Sequence, residues 1–448
     1  MSALKQYIDL FRSDRAALDA NAPEALNALR PAALAVLENA GRLPDTSDEG
    51  YAKTSVEEMF APDLGVNVNR VSIPVNVAES FRCDVPNVST LMAVVVNDRF
   101  VPTATLLKNL PAGVTVCSLR EADPELLARY AGDNSDIASA FNALLLQDGV
   151  LIHAERGVRL DKPVQLVDIF SSPAPLFAAR RVIVIAEDEA EIAVLKCDHT
   201  QTAGIRFASS EIVEIFAGRN SKVDWYDIEE SSADTARWCR FRCRQEAGSS
   251  LNICASTLTN GKTRNEYFAD IAGDGCHTLL SGMAIGSGCQ HIDNSSYLLH
   301  RSDRSESDQL FKYVLDEKAR GAFEGCIEVA RGARFNEAFQ TNRNLLASTD
   351  ARMHTQPQLL IYNDDVKCSH GASTGQLDAA ALFYMQARGI PREEARRMLM
   401  QAFMVDVIDR IRLETLRDRL RHLVDLRFSG QCGKGSCAGC QQKDSSID

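Results

Sequence analysis

The stretch richest in chemistry is Ile361-Tyr-Asn-Asp-Asp-Val-Lys-Cys-Ser-His-Gly-Ala-Ser-Thr-Gly-Gln-Leu377. If Asp364 to His370 is extended, Asp364, Val366, Cys368 and His370 share one face, and Asp365, Lys367 and Ser369 the other. A thiol and an imidazole two residues apart on one face can both approach a metal once the thiol ionises. Two donors do not close a tetrahedral site, so another strand or a partner surface must complete it. Taken alone, Cys368-Ser-His370 reads more simply as a packed cysteine beside a hydrogen-bonded histidine.

The other members of the set of thirteen cysteines are scattered. Cys197, Cys254 and Cys326 sit singly among apolar residues, where cysteine acts as a small buried hydrophobe. Near the end, Cys432-Gly-Lys-Gly-Ser-Cys437-Ala-Gly-Cys440 has the Cys-x4-Cys-x2-Cys spacing of the first three ligands of a plant-type [2Fe–2S] loop. Its glycines would let the backbone wrap a cluster. The fourth ligand is missing, so the other reading is a flexible thiol-bearing tail that binds metal adventitiously or hands over sulfur or iron. His291 and Asp293 share a face if their stretch is extended, and with His300 they read as a structural hydrogen-bonded group. His153 and His199 have no sequence neighbours that suggest chemistry.

Elements must hold these side chains in place. Leu4, Tyr7, Ile8 and Phe11, then Leu26, Leu29, Leu34 and Leu37, recur at helical spacing. A loop follows from Gly41 to Glu49, then a strand and turn over Met92–Val101 and a helix around Ile137–Leu146. From about Val150 to Ser369 the chain becomes short β-rich runs, such as Val182–Ile185, Val223–Tyr226 and Leu359–Tyr362, separated by small-residue turns. Turns at intervals of roughly 20 to 30 residues are what a β-solenoid gives; a β-sandwich also gives many short strands with turns. The Gly-rich Ser281–Gly288 stretch reads as such a turn. The end is helical again. Ser373 or Thr374 can cap a helix carrying Leu377, Ala381, Tyr384 and Met385, with Gly389 and Pro391 marking its end and the next start. Ala395, Met398, Leu399, Ala402 and Phe403 form a second core stripe, and Leu416, Leu420, Leu423 and Leu426 a third. Helices at both ends would cover sheet edges that could recruit foreign strands. The boundaries expected are a mostly helical domain over 1–148, a β core over 149–371, helices over 372–428 and a flexible cysteine-containing tail over 429–448.

Composition narrows the function. A net charge of −12 argues against a nucleic-acid partner, because phosphate binding needs a basic surface. No window is apolar enough to span a bilayer, and Met1-Ser-Ala-Leu4 lacks the apolar core of a secretion signal, so a cytoplasmic protein is expected. There is no Gly-x-x-x-x-Gly-Lys-Ser/Thr loop, so no nucleotide is expected on this chain, and no His-Glu-x-x-His motif.

The run from Asn363 to Leu377, followed by Leu382-Phe-Tyr-Met-Gln-Ala-Arg-Gly-Ile390, closely resembles the C-terminal signature of the SufB/SufD family. Phe323-Glu-Gly-Cys-Ile-Glu-Val329, Gln340-Thr-Asn-Arg-Asn-Leu-Leu346, Gln356-Pro-Gln-Leu359 and Ser307–Val314 match further blocks in the right order. Gly41-Arg-Leu-Pro44 and Glu49-Gly-Tyr-Ala-Lys-Thr54 reproduce the family's entry motif only in part, and the cysteine tail departs from its pattern. Where SufB-like chains carry a glutamate–histidine–glutamate pattern, Asp364-Asp-Val-Lys-Cys-Ser-His-Gly371 has the SufD form. The resemblance implies a right-handed parallel β-helix flanked by helical domains. It implies a scaffold for iron–sulfur cluster assembly, not itself an enzyme, that works with SufB and the ATPase SufC, the cluster forming transiently at the SufB–SufD interface. His370 is then the expected metal ligand from this side, with Cys368 second. The helices over about Gln376 to Leu426 would dock SufC, and the resemblance allows isolated subunits to self-pair as homodimers. The rival readings are a carbohydrate-acting β-helix enzyme, which predicts a carboxylate ladder and aromatics where only two Trp occur, and a structural β-helix oligomer without metal function.

Overall fold

The computed structural model describes residues 2–75, 91–130, 135–202 and 204–430. The entry region contributes β1 (Gly65–Val66), β2 (Met92–Val96), β3 (Arg99–Pro102) and β4 (Val114–Ser118). Eight two-strand coils follow: β5 (Val150–Ala154) with β6 (Val164–Phe170), β7 (Leu176–Ala186) with β8 (Glu191–Thr200), and β9 (Phe207–Ala217) with β10 (Lys222–Glu230). Next come β11 (Thr235–Gln245) with β12 (Ser250–Thr259), β13 (Lys262–Ile271) with β14 (His277–Gly286), and β15 (His291–His300) with β16 (Glu306–Leu315). The last are β17 (Arg320–Val329) with β18 (Glu337–Leu346) and β19 (Arg352–Ile361) with β20 (Lys367–Gln376). Odd strands from β5 to β19 form one parallel sheet and even strands from β6 to β20 the other. The expected solenoid is what forms, and the sandwich is excluded, because each strand pairs with the one a full coil away. The entry is closed by strands: β4 pairs antiparallel with β5, and β2, itself paired with β3, lies beside β6.

The turns explain why so many short runs stack in register. Where odd strands pass to even ones, the first seven of the eight coils place a residue in the left-handed region: Gly157, Glu189, Asn220, Gly248, Gly275, Arg304 and Phe335, with φ from +55° to +72°. The intervals run from 27 residues (Gly248 to Gly275) to 32 (Gly157 to Glu189). Each such N–H donates to the next coil: Glu189 to the Arg219 carbonyl at 2.8 Å, Asn220 to Ala247 at 2.9 Å and Gly248 to Asp274 at 2.9 Å. At Gly248 an added Cβ would stand 2.2 Å from Asn220 Oδ1, so both φ and space require glycine.

Alternation sends one residue in two into the lumen. An aromatic spine fills its middle: Trp225 to Phe241 at 5.9 Å, Phe241 to Tyr267 at 4.8 Å, Tyr267 to Phe311 at 6.0 Å and Phe311 to Phe323 at 4.7 Å. Pairs of this kind add about 0.5–1.5 kcal/mol beyond area burial. The amino-terminal helices pack on the outer face of the odd sheet, where Tyr7, Phe60 and Phe141 meet Phe177 and Trp238. The helices Arg392–Ile408 and Glu414–Ser429 cover the even sheet, Met400, Met404, Val407 and Leu420 packing with Tyr226, Ile228, Cys254 and Leu310.

Two expectations about the carboxyl end need correction. Ser373 and Thr374 lie inside β20, because the strand continues its ladder with β18 to Gln376; Asp378 caps the helix Ala379–Ala387 instead. No residue of that helix is buried, Tyr384 included. Nor do the terminal helices cover the last coil's edge, since they lie against the side of the even sheet. No described helix is long and apolar enough to cross a membrane.

Candidate metal site at the open end of the solenoid

The last coil is paired on one side only: β19 with β17, and β20 with β18. Register places Cys368 beside Ala338 and His370 beside Gln340. Ala338 and Gln340 are buried in the lumen, so the thiol and imidazole stand on the lumen-facing side of the final rung, at its open mouth. His370 is exposed and Cys368 half-buried. Burial raises the Cys368 thiol above its ordinary pKa, partly countered by the Ala338 backbone hydrogen bond, so the thiol ligates only after a metal displaces its proton. The extended face expected here starts later than proposed, since β20 begins at Lys367 and residues 364–366 belong to the preceding turn.

Among the described residues no three of His, Cys, Asp and Glu converge on a metal site. Of the described residues that could donate to a metal, Cys368 and His370 are the two placed at the mouth by the register of β20. Cys432, Cys437 and Cys440 lie outside the described residues.

The remaining sequence candidates have structural partners. His291 Nε2 lies 2.7 Å from Thr54 Oγ1, which also donates to Asp293, and Arg264 pairs with Asp293 at 2.7 Å. Arg264 donates to the Gly50 carbonyl at 2.8 Å and stacks on Tyr51. The Gly50–Thr54 segment is thus strapped to the outer face of the odd sheet. His300 Nε2 lies 2.9 Å from Ser307 Oγ, and burial lowers its pKa to about 4. His153 Nε2 lies 2.9 Å from Glu187 Oε1, and His199 is buried. Cys197 and Cys254 are buried in the packing against the terminal helices, as expected, whereas Cys326 is half-buried.

Sequence reading missed a buried ionic network in the lumen. Lys196 Nζ meets Asp198 at 2.6 Å and Glu211 at 2.8 Å, Arg180 meets Asp198 at 2.7 Å, and Arg237 meets Glu211 at 3.1 Å and Asp227 at 2.5 Å. Asp168 and Glu229 complete it, and burial pushes both carboxyls up to about 7 against the pull of Lys196 and Arg237 respectively. Its members come from six strands, so no local motif could announce it. Sealed from solvent, these carboxylates cannot reach a saccharide.

The chain matches the family profile described as "SUF system FeS cluster assembly, SufBD core domain" over residues 170–403, and the "SufBD protein N-terminal region" over residues 1–166. It is 29% identical over 402 residues to an iron–sulfur cluster assembly SufBD family protein of Synechocystis, covering 86% of this chain and 88% of that one. It is 27% identical over 290 residues to the iron–sulfur cluster assembly protein SufD of Bacillus subtilis, covering 64% of this chain and 66% of that one. With the Escherichia coli SufD it shares 33% identity over 167 residues, 37% of this chain and 40% of that one.

Proposed function

The chain belongs to the SufBD family and serves iron–sulfur cluster assembly in the SUF system, and from that premise we propose that it is the SufD-like half of a two-subunit scaffold. Its partner is a SufB-like paralogue, and the nascent cluster is cargo built where the two solenoids meet. The observation that carries this reading is the last coil, which no described strand covers, with an imidazole and a thiol at its mouth and no third donor converging on them among the described residues. His370 is the principal ligand from this side. Cys368 is second, since its raised thiol pKa demands proton displacement first. The helices at about 376–426 dock a SufC-like ATPase, whose nucleotide-driven closure would move the two scaffolds against each other. In isolation the same open coil favours pairing with a second copy.

Co-expression with SufB-like and SufC-like proteins should give one co-eluting complex; separate elution of all three overturns the scaffold reading. Within that complex His370→Ala should abolish most of the cluster reconstituted from ferrous iron and sulfide, and Cys368→Ala should reduce it less. An assembled His370→Ala complex with undiminished cluster yield overturns the ligand assignment.

A further inference from the structure

Beneath His370 the lumen carries a short column of carboxamides. Gln309 of β16, Gln340 of β18 and His370 of β20 are direct register partners on successive rungs, roughly 4.8 Å apart. Facing them on the odd sheet stand Ser296, Gly325 and Pro357, also in register. Ser296 Oγ donates to Gln309 Oε1 at 2.6 Å. The Gln340 carboxamide reaches across to Gly325, where an added Cβ would stand 2.2 Å from Nε2, so the glycine makes room for the amide. Gln340 is 1% exposed, and neither its Nε2 nor its Oε1 has a hydrogen-bond partner among the described residues. A buried polar group without a partner is costly.

The surroundings narrow what that amide can serve. Asn342 Oδ1 already accepts from Thr355 at 2.8 Å and from Asn344 at 2.6 Å. Asn344 Oδ1 is unpaired but lies under Thr374, four residues along the strand from His370. The column ends below Gln309 at Leu280 and Ile253, so it continues into apolar side chains.

We infer that Gln340 is a positioning residue for His370, its Oε1 accepting the ring N–H of the nitrogen turned away from iron. A histidine that binds metal through one nitrogen almost always donates the other to an acceptor, which fixes tautomer and ring orientation and raises basicity. Gln340 stands one rung below with that acceptor free. This inference rests on the ligand reading of His370.

The test uses the assembled complex carrying Gln340→Leu, Gln340→Glu or His370→Ala, loaded with ferrous iron and sulfide. Gln340→Leu should weaken iron retention roughly tenfold to a hundredfold, while the complex elutes normally and melts no lower than the parent. Gln340→Glu keeps an acceptor and should restore retention. With 15N-histidine labelling, the hyperfine coupling of the remote ring nitrogen should shift in Gln340→Leu and return in Gln340→Glu. Should the leucine variant fail to assemble, Gln340→Met carries the same comparison. If His370→Ala retains iron, the ligand reading falls. If His370→Ala loses iron while Gln340→Leu matches the parent in retention and coupling, the positioning inference falls by itself. Equal impairment in Gln340→Glu and Gln340→Leu also overturns it.

Discussion

Lys196 is fully buried among carboxylates: burial alone would lower its pKa, but Asp198 and Glu211 hold it well above the ordinary lysine value. Removing one partner of a buried ion pair typically costs about 3–5 kcal/mol, because the other charge is left uncompensated. Lys196→Met should destabilise the solenoid on that order, as read by denaturant unfolding. The network also sets a pH dependence. Asp168 and Glu229 hold protons up to about pH 7 in the folded chain, against roughly 4 when unfolded. Their contribution is therefore complete below about pH 4 and is lost as pH rises through 7. Asp198, held below its ordinary value by Lys196 and Arg237 despite burial, loses its contribution only in strong acid and does not offset this window. Asp168→Asn should accordingly gain stability relative to the parent between pH 5 and pH 8, measured by paired unfolding curves; an unchanged difference across that range would show that Asp168 titrates normally.

At the scale of elements, the decisive one is the edge strand β20. The Lys367 N–H donates to Asn336 at 2.9 Å on the β18 side. Successive residues of a strand point their backbone groups to opposite sides, so the Ala372 N–H faces the free edge. Proline is tolerated at such a position, because it removes no bond within the fold. Ala372→Pro should leave the unfolding midpoint close to the parent's yet prevent edge-to-edge pairing, seen as a smaller species in sedimentation. The flanking helix Ala379–Ala387 leaves Phe383 73% exposed, and Phe335 and Tyr362 in turns of the last two coils are about half exposed. An open edge beside apolar surface of this kind is a ready template for another chain.

For the molecule as a whole, packing is asymmetric. β2, β3 and β4 close the entry of the stack and helices cover the flank of each sheet, while no described strand covers the last coil. Both terminal helices pack through side chains up to Phe428. A chain ending at Gly430 should match the full chain in unfolding midpoint and in partner co-elution. Iron and zinc bound per chain, measured before and after that truncation, test whether Cys432, Cys437 and Cys440 hold metal. A drop assigns the tail a metal-binding role, and equal content removes it.

The order of elements, most coil turns and the placing of Cys368 and His370 on one face were legible because they are local: left-handed turn residues recur at coil intervals, and alternation fixes faces over a few residues. Ser281–Gly288, read as a turn, instead runs as strand to Gly286, the end of β14. The blocks from Phe323 to Ile390 carried the family. What only tertiary structure decided involves residues whose partners are a coil or more away. Gln340 looks like any polar residue until register sets it between Gln309 and His370. Lys196 and its carboxylates come together only when strands spread over many coils enclose one lumen. The uncovered mouth likewise depends on where the terminal helices lie. Helical periodicity specifies a buried stripe but not the surface it buries against, and here that surface is the side of the even sheet.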